Sequence, residues 1–159
     1  MGEVRLRSEV SEADITAIIN AHRSIYEREF GFNQEFGEYV AASLKGDFAQ
    51  IWIAETEGRF AGCIGVVKAA ELSIQLRWFL VEPEFQGKGI GKLLIEALLE
   101  YCRAKKFDEI FLWTVNKLPA AKAIYERYGF ERTQTKAEQV LWGQPLLEER
   151  WDLSLKREG

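Results

Sequence analysis

Seven residues, Gln86-Gly87-Lys88-Gly89-Ile90-Gly91-Lys92, place three glycines and two lysines directly before an amphipathic run. Glycine lets a chain turn sharply and lets a ligand approach the main chain. The first turn of a helix has N–H groups without helical partners, and its dipole is positive there. Successive amides in such a loop form an anion-binding concavity. Strand end, glycine loop and helix start together therefore make a phosphate cradle, with Lys88 and Lys92 adding positive charge. The nucleotide versions of this cradle do not fit. Gln86 stands where the P-loop needs its first glycine, and Leu93 follows Lys92, leaving no hydroxyl for magnesium. Counted from Gly87, the third glycine position of the dinucleotide fingerprint is Lys92. A tight strand-to-helix turn that binds nothing is the plain alternative.

Other reactive side chains carry weaker signals. His22, the single histidine, shares an apolar helical face with Ile15, Ile18, Ile19, Ile25 and Tyr26. That pattern suits a buried structural ring better than a catalytic base. Cys63 falls in a strand run and Cys102 on a helix; their spacing matches no metal site, so two reduced, buried thiols are expected. Glu148 and Glu149 could attract a cation, but paired glutamates read more simply as solvated surface.

The chain that positions these groups has 159 residues, the length of one domain over 1–159, with 47% hydrophobic and 29% charged residues. A net charge of −4 and a pI of about 5.2 argue against a general nucleic-acid binder. The opening MGEVRLRSEV has no apolar signal core, and no run reaches transmembrane length. A cytoplasmic protein with no membrane partner is the expectation.

The coarse order is strand, two helices, three strands, helix, strand, helix and terminal strands. Val4 and Leu6 alternate in a first strand. Ser11 with Asp14 signals a capped helix start. A second helix is expected over Glu35 to Leu44, after a loop EFGFNQ. QIWIAET and FAGCIGVVK flank a turn at EGR, and LSIQLRWFLV is a third strand. After the glycine loop, Leu94, Leu98, Tyr101 and Cys102 recur at helical spacing. EIFLWTV is apolar at nearly every position, which predicts a strand buried on both faces. Pro119 opens a shorter helix carrying Ala121, Ile124, Tyr125 and Tyr128, and Gly129 suits its left-handed cap. QVLWG and ERWDLSL close the chain as strands. The class is mixed α/β.

Gln86, Gly89 and Gly91 in this setting resemble motif A of the GNAT superfamily of acyl-CoA-dependent N-acetyltransferases. AAKAIYERYGF, with Ala121, Tyr125, Gly129 and Phe130, is similar to a second signature of that family. The resemblance covers residues 76 to 130 well. It implies a GNAT-like domain: a central, mostly antiparallel sheet of six to seven strands flanked by about four helices. It implies acetyl-CoA as acyl donor, with its pyrophosphate on the amides of Gln86 to Lys92 and its pantetheine arm along Phe79, Leu80 and Val81, whose N–H groups could polarise the thioester carbonyl. It implies Tyr125 as proton donor to the leaving thiolate, although Tyr125 shares helical spacing with core residues. Two departures stand out. Leu118 occupies the position where many members carry a cofactor-contacting Asn, with Asn116 two residues out of register as the nearest substitute. Gln75 occupies the position of the glutamate base of one branch, and an amide cannot accept the proton; Glu82, acting through water, is one substitute. QLRWFLVEP, LWT and WGQPLLEERWDLSL further resemble the acetyltransferase half of bacterial MarR–GNAT fusion regulators, without their DNA-binding domain. The implied acceptor is a small-molecule or protein amine, and the implied assembly a monomer or homodimer. Gln75, Arg77, Trp78 and the EFGFNQ loop are candidate acceptor-pocket residues. A CoA-binding sensor without catalysis is the competing reading.

Overall fold

The computed structural model describes residues 2–156. Nine strands and four helices alternate in the order β1 (Val4–Arg7), α1 (Glu12–Phe30), α2 (Gln34–Ser43), β2 (Gln50–Thr56), β3 (Arg59–Ala70), β4 (Ser73–Val81), α3 (Ile90–Ala104), β5 (Glu109–Val115), α4 (Pro119–Arg127), β6 (Glu131–Thr135), β7 (Gln139–Leu141), β8 (Gln144–Leu146) and β9 (Glu148–Ser154). Seven strands form one sheet in the order β1-β2-β3-β4-β5-β9-β6, and β7 and β8 form a separate two-stranded ribbon. Only β4 and β5 pair in parallel; the other neighbours are antiparallel. Among the described residues no helix is long and apolar enough to cross a membrane.

Local chemistry explains the element ends. Ser11 and Asp14 form a reciprocal capping box at the start of α1, and Gly31 ends it at φ 70°. Asn33 then caps α2 from the β region. The expected EFGFNQ loop therefore shrinks to residues 31–33, because two strong caps meet there. Glu57 and Gly58, both at positive φ, make the two-residue hairpin turn between β2 and β3. Gly129, at φ 92°, follows α4 as its spacing predicts.

Helices cover the two faces of the sheet unequally. Leu94, Leu98 and Cys102 of α3 pack with Ile64, Ile74, Leu112 and Trp151 on one face. Ile18 and Ile25 of α1 and Phe36 and Val40 of α2 pack with Ile51, Cys63, Trp78 and Leu80 on the other. Both cysteines are free and buried.

Three expectations are corrected. β5 buries Ile110 and Leu112 on the α3 face and Val115 on the other, but Phe111 and Trp113 beside Val115 are only half-buried. The Arg150 guanidinium covers Phe111 and the Lys136 ammonium covers Trp113, so cations do there what a second core layer was expected to do. β6 was not expected at all: all of its residues are exposed and it carries no apolar alternation. QVLWG is a strand as expected, but over Gln139–Leu141 only. It enters a hairpin whose turn is Trp142 and Gly143, at φ 52° and 81°.

Candidate functional site

The parallel ladder between β4 and β5 covers only Ser73–Gln75 against Glu109–Phe111. Both strands continue, β4 to Val81 and β5 to Val115, without pairing to each other. Two cavities meet beyond that point.

A bulge in β4 accompanies the break. The β3–β4 register shifts between Cys63 and Gly65, opposite Trp78 and Phe79. Trp78 takes φ 54°, a strained value for a bulky residue. Its contacts hold it there. Its indole N–H donates to Ser43 Oγ at 2.8 Å, and the Cys63 thiol donates to its carbonyl at 3.0 Å. Its ring fills the space where a Gly65 side chain would stand. The bulge resets the pleat. Ile74 and Leu76 face the α3 side, and after an interval of three residues so do Phe79 and Val81, while Trp78 and Leu80 turn to the α1 side.

The first cavity is a groove of about 470 Å³ between the end of β4, the glycine loop, α4 and the Tyr26–Phe30 end of α1. Phe79, Leu80, Val81, Gln86, Gly87, Gly89, Ile90, Gly91 and Lys92 all line it. Gly87 and Gly89 sit at φ 77° and 81°, and a Cβ on either would meet nothing within 4 Å. Their freedom serves the backbone turn and keeps the loop open, rather than relieving a clash. Gly89 is the N-cap of α3 and offers no capping side chain; the first helical bond there is Leu93 N–H to the Gly89 carbonyl. The Gln86 side chain donates back to the Val81 carbonyl, bracing the loop on β4. This is an open, amide-lined helix start, a shape and polarity that fit a phosphate ester. Lys88 is exposed and does not line the groove. Asn116 does not line it either: its side-chain oxygen accepts from Leu147 N–H and its own N–H donates to the Leu147 carbonyl. Leu118 lies on the groove wall instead.

The second cavity, about 140 Å³, lies between β4 and β5 on the α1–α2 side. Gln75, Arg77, Trp78 and Phe32 come together in it. Tyr26 and Phe36 stack at 4.6 Å, and Trp142 meets Phe36 edge-on at 4.8 Å. The Trp142 carbonyl accepts from Asn33 N–H, so the β7–β8 turn is tied over the α1–α2 junction. Nothing in the sequence pairs Trp142 with Phe36, more than a hundred residues earlier; only a two-residue turn signal at WG was available.

Tyr125 lines this second cavity and is 5% exposed. Its ring lies 6.2 Å from Phe79 and 5.8 Å from Phe130. Burial, and then the neighbouring Tyr26, push the phenol well above its usual range, so it stays protonated and able to donate. Tyr26, Phe79, Leu118 and Ala121 line both cavities and mark their junction.

The remaining titratable groups fall into place around it. His22 lines the second cavity but is buried, with Nδ1 2.7 Å from the Ile18 carbonyl; burial lowers its pKa to about 4. Glu82 lines neither cavity, and burial and then Glu84 raise its pKa. Glu149 is not surface: it is 4% exposed and takes bonds from Arg132 and from the Trp151 indole. Glu148 alone of the pair faces the second cavity, holding Gln139 at 2.8 Å with Lys136 at 3.9 Å. Strand alternation splits the two glutamates between opposite faces.

A family model described as Acetyltransferase (GNAT) family matches residues 15–130. Among curated proteins, the chain is 29% identical to N-acetyltransferase 8B of Homo sapiens over 60% of this chain and 49% of that protein. It is 32% identical to mycothiol acetyltransferase of Acidothermus cellulolyticus over 62% of this chain and 31% of that protein. The chain thus spans about half or less of these relatives. Among solved structures, the ribosomal-protein-S18-alanine N-acetyltransferase of Escherichia coli superposes with a TM-score of 0.79 at 19% identity, covering 99% of this chain and 97% of that one. The structure of yncA from Salmonella typhimurium with its cofactor acetyl-CoA gives 0.73 at 19% identity, covering 98% and 95%.

Proposed function

The chain belongs to the acetyltransferase (GNAT) family, and from that premise we propose that it moves an acetyl group from acetyl-CoA to a primary amine by direct attack. The amine nitrogen bonds to the thioester carbonyl carbon, the C–S bond breaks, and the sulfur takes the electron pair. The amine loses a proton and the thiolate gains one, leaving an amide and free CoA.

The observation that carries this reading is the meeting of two differently lined cavities at Phe79, where the β4–β5 ladder stops. The amides of Gly87, Gly89, Ile90 and Gly91 would hold the pyrophosphate, with Lys92 alongside. Phe79 to Val81 would orient the donor arm. Tyr125, protonated and next to Phe79, would supply the thiolate's proton. Direct attack is supported by the state of the cavity's serine and of both cysteines, with Thr114 the remaining aliphatic hydroxyl on the wall among the described residues. The Ser43 hydroxyl donates to the Val40 carbonyl and accepts from Trp78. Neither cysteine lines either cavity, and burial raises both thiols, Cys102 to about 12. The proposal gives the chain no nucleic-acid role.

A non-catalytic acyl-CoA sensor, the role suggested by the likeness to fusion regulators, has one observation in its favour. Gln75, not a carboxylate, stands in the second cavity. Calorimetry with acetyl-CoA, followed by free-thiol release over a panel of primary amines, separates the two. Binding with amine-dependent thiol release is the expected outcome. Binding without release under any amine leaves the sensor, and absence of binding defeats both.

A further inference from the structure

We infer that the second cavity takes an amine that also carries a carboxylate and a single aromatic ring: an aromatic α-amino acid, with Arg77 as the residue that selects it. The inference rests on the acetyl-transfer reading and names the acceptor that reading left open.

Size sets the first limit. The cavity, about 140 Å³, matches the roughly 150 Å³ engineered cavity that accommodates benzene. A single ring fills most of this half-open cavity, leaving the amino and carboxylate groups toward its open side. The walls set the second. Tyr26, Phe36 and Trp142 already meet in stacked and edge-on contacts at 4.6 to 4.8 Å. A further ring among them gains aromatic contacts that an aliphatic chain lacks.

Charge sets the third. Two charged side chains line the cavity, Arg77 and Glu148, since His22 is neutral there near pH 7. Glu148 is already engaged by Gln139 and Lys136. Arg77 is not paired. Its guanidinium gives one bond to the Tyr39 hydroxyl at 3.1 Å and lies over the Tyr39 and Trp78 rings. Among the described residues it has no acidic partner, and its other donors remain for a ligand. A half-buried guanidinium pre-oriented by two rings is built to receive a planar carboxylate in a bidentate pair. Arg77 precedes Phe79 by two residues, across the bulge at Trp78, and both line this cavity, Phe79 at its junction with the first.

The test compares L-phenylalanine, phenethylamine and L-phenylalaninamide as acceptors of the full chain with saturating acetyl-CoA. The second lacks the carboxylate, and the third presents the neutral carbonyl of a peptide N-terminus. L-Phenylalanine is expected to have the highest kcat/KM by about 10- to 100-fold, between the values for an exposed and a desolvated charge pair. Arg77→Met should remove that preference, Arg77→Lys should restore part of it, and acetyl-CoA affinity should not move in either. Calorimetry with N-acetyl-L-phenylalanine in the presence of CoA should show the same Arg77 dependence without turnover. Equal or better turnover of phenethylamine would overturn the carboxylate requirement while leaving acetyl transfer intact. Preference for the amide would overturn it in favour of a peptide acceptor. No release with any amine, and no binding of the acetylated product, would overturn this inference; acetyl-CoA binding would then leave only the sensor.

Discussion

In the proposed reaction Tyr125 has two separable properties, a ring that packs and a hydroxyl that would donate. Tyr125→Phe keeps the contacts to Phe79 and Phe130 and removes only the donor. Turnover should fall by about 10²- to 10⁴-fold, with acetyl-CoA affinity unchanged by calorimetry. Undiminished turnover with chemistry rate-limiting would refute the role. His22 bears on stability instead. Burial lowers its pKa from 6.5 to about 4. The folded state therefore resists a proton that the unfolded chain accepts. The stabilisation is complete above pH 6.5 and is lost as pH falls toward 4, amounting to roughly 2–3 kcal/mol between pH 7 and pH 4.5. Urea unfolding at those two pH values should show the loss in the wild type and a much smaller one in His22→Met. A similar loss in His22→Met would assign the acid sensitivity to another group. At this scale the sequence was informative where periodicity or a motif singled a residue out, as with the burial of His22 and the place of Tyr125 on a cavity wall. It was silent where strand alternation decided the matter, as with Glu148 and Glu149.

Gly91 separates the fold of the glycine loop from its binding. It lies inside α3 and outside the left-handed region, and a Cβ there would meet Ile124 at 3.4 Å and Phe79 and Val81 slightly farther off. These are groove walls. Gly91→Ala should leave stability unchanged or raise it by up to about 1 kcal/mol. The same methyl group narrows the groove, and an overpacking cost of about 1–3 kcal/mol corresponds to roughly 10- to 100-fold weaker acetyl-CoA binding. Calorimetry and urea unfolding on one preparation check both signs; unweakened binding would remove this wall from the cofactor site. Ser11 offers a test with no functional component. Ser11→Ala breaks the capping box on α1 and should cost about 1 kcal/mol in urea unfolding, with acetyl-CoA affinity unmoved. Capped helix starts and glycine-dependent turns were legible because each depends on a few neighbouring residues. β6 was not, because its only apparent reason for being a strand is its ladder to β9.

For the whole molecule, two openings that converge on one point imply an order of events. In the proposed reaction acetyl-CoA and the amine would occupy different cavities, with the acetyl group passing directly from one to the other. Initial-rate plots against both substrates should therefore intersect, as for a ternary complex. Parallel lines would indicate a covalent acetyl-enzyme and overturn direct attack. The two-cavity layout was beyond sequence reading, since β4, β5, α1, α4 and the Trp142 turn come from distant parts of the chain. The short β4–β5 ladder has one further consequence. A sheet ordinarily has two edges, but this one has four, and two of them face each other inside the molecule. Backbone N–H groups of β4 beyond Gln75 that point toward β5 have no strand to bond. They should exchange with deuterium faster than those pointing toward β3, and the difference should shrink when a strand-like ligand arm lies along Phe79 to Val81. Protection appearing on one side of a single strand would report occupancy of the gap without any turnover.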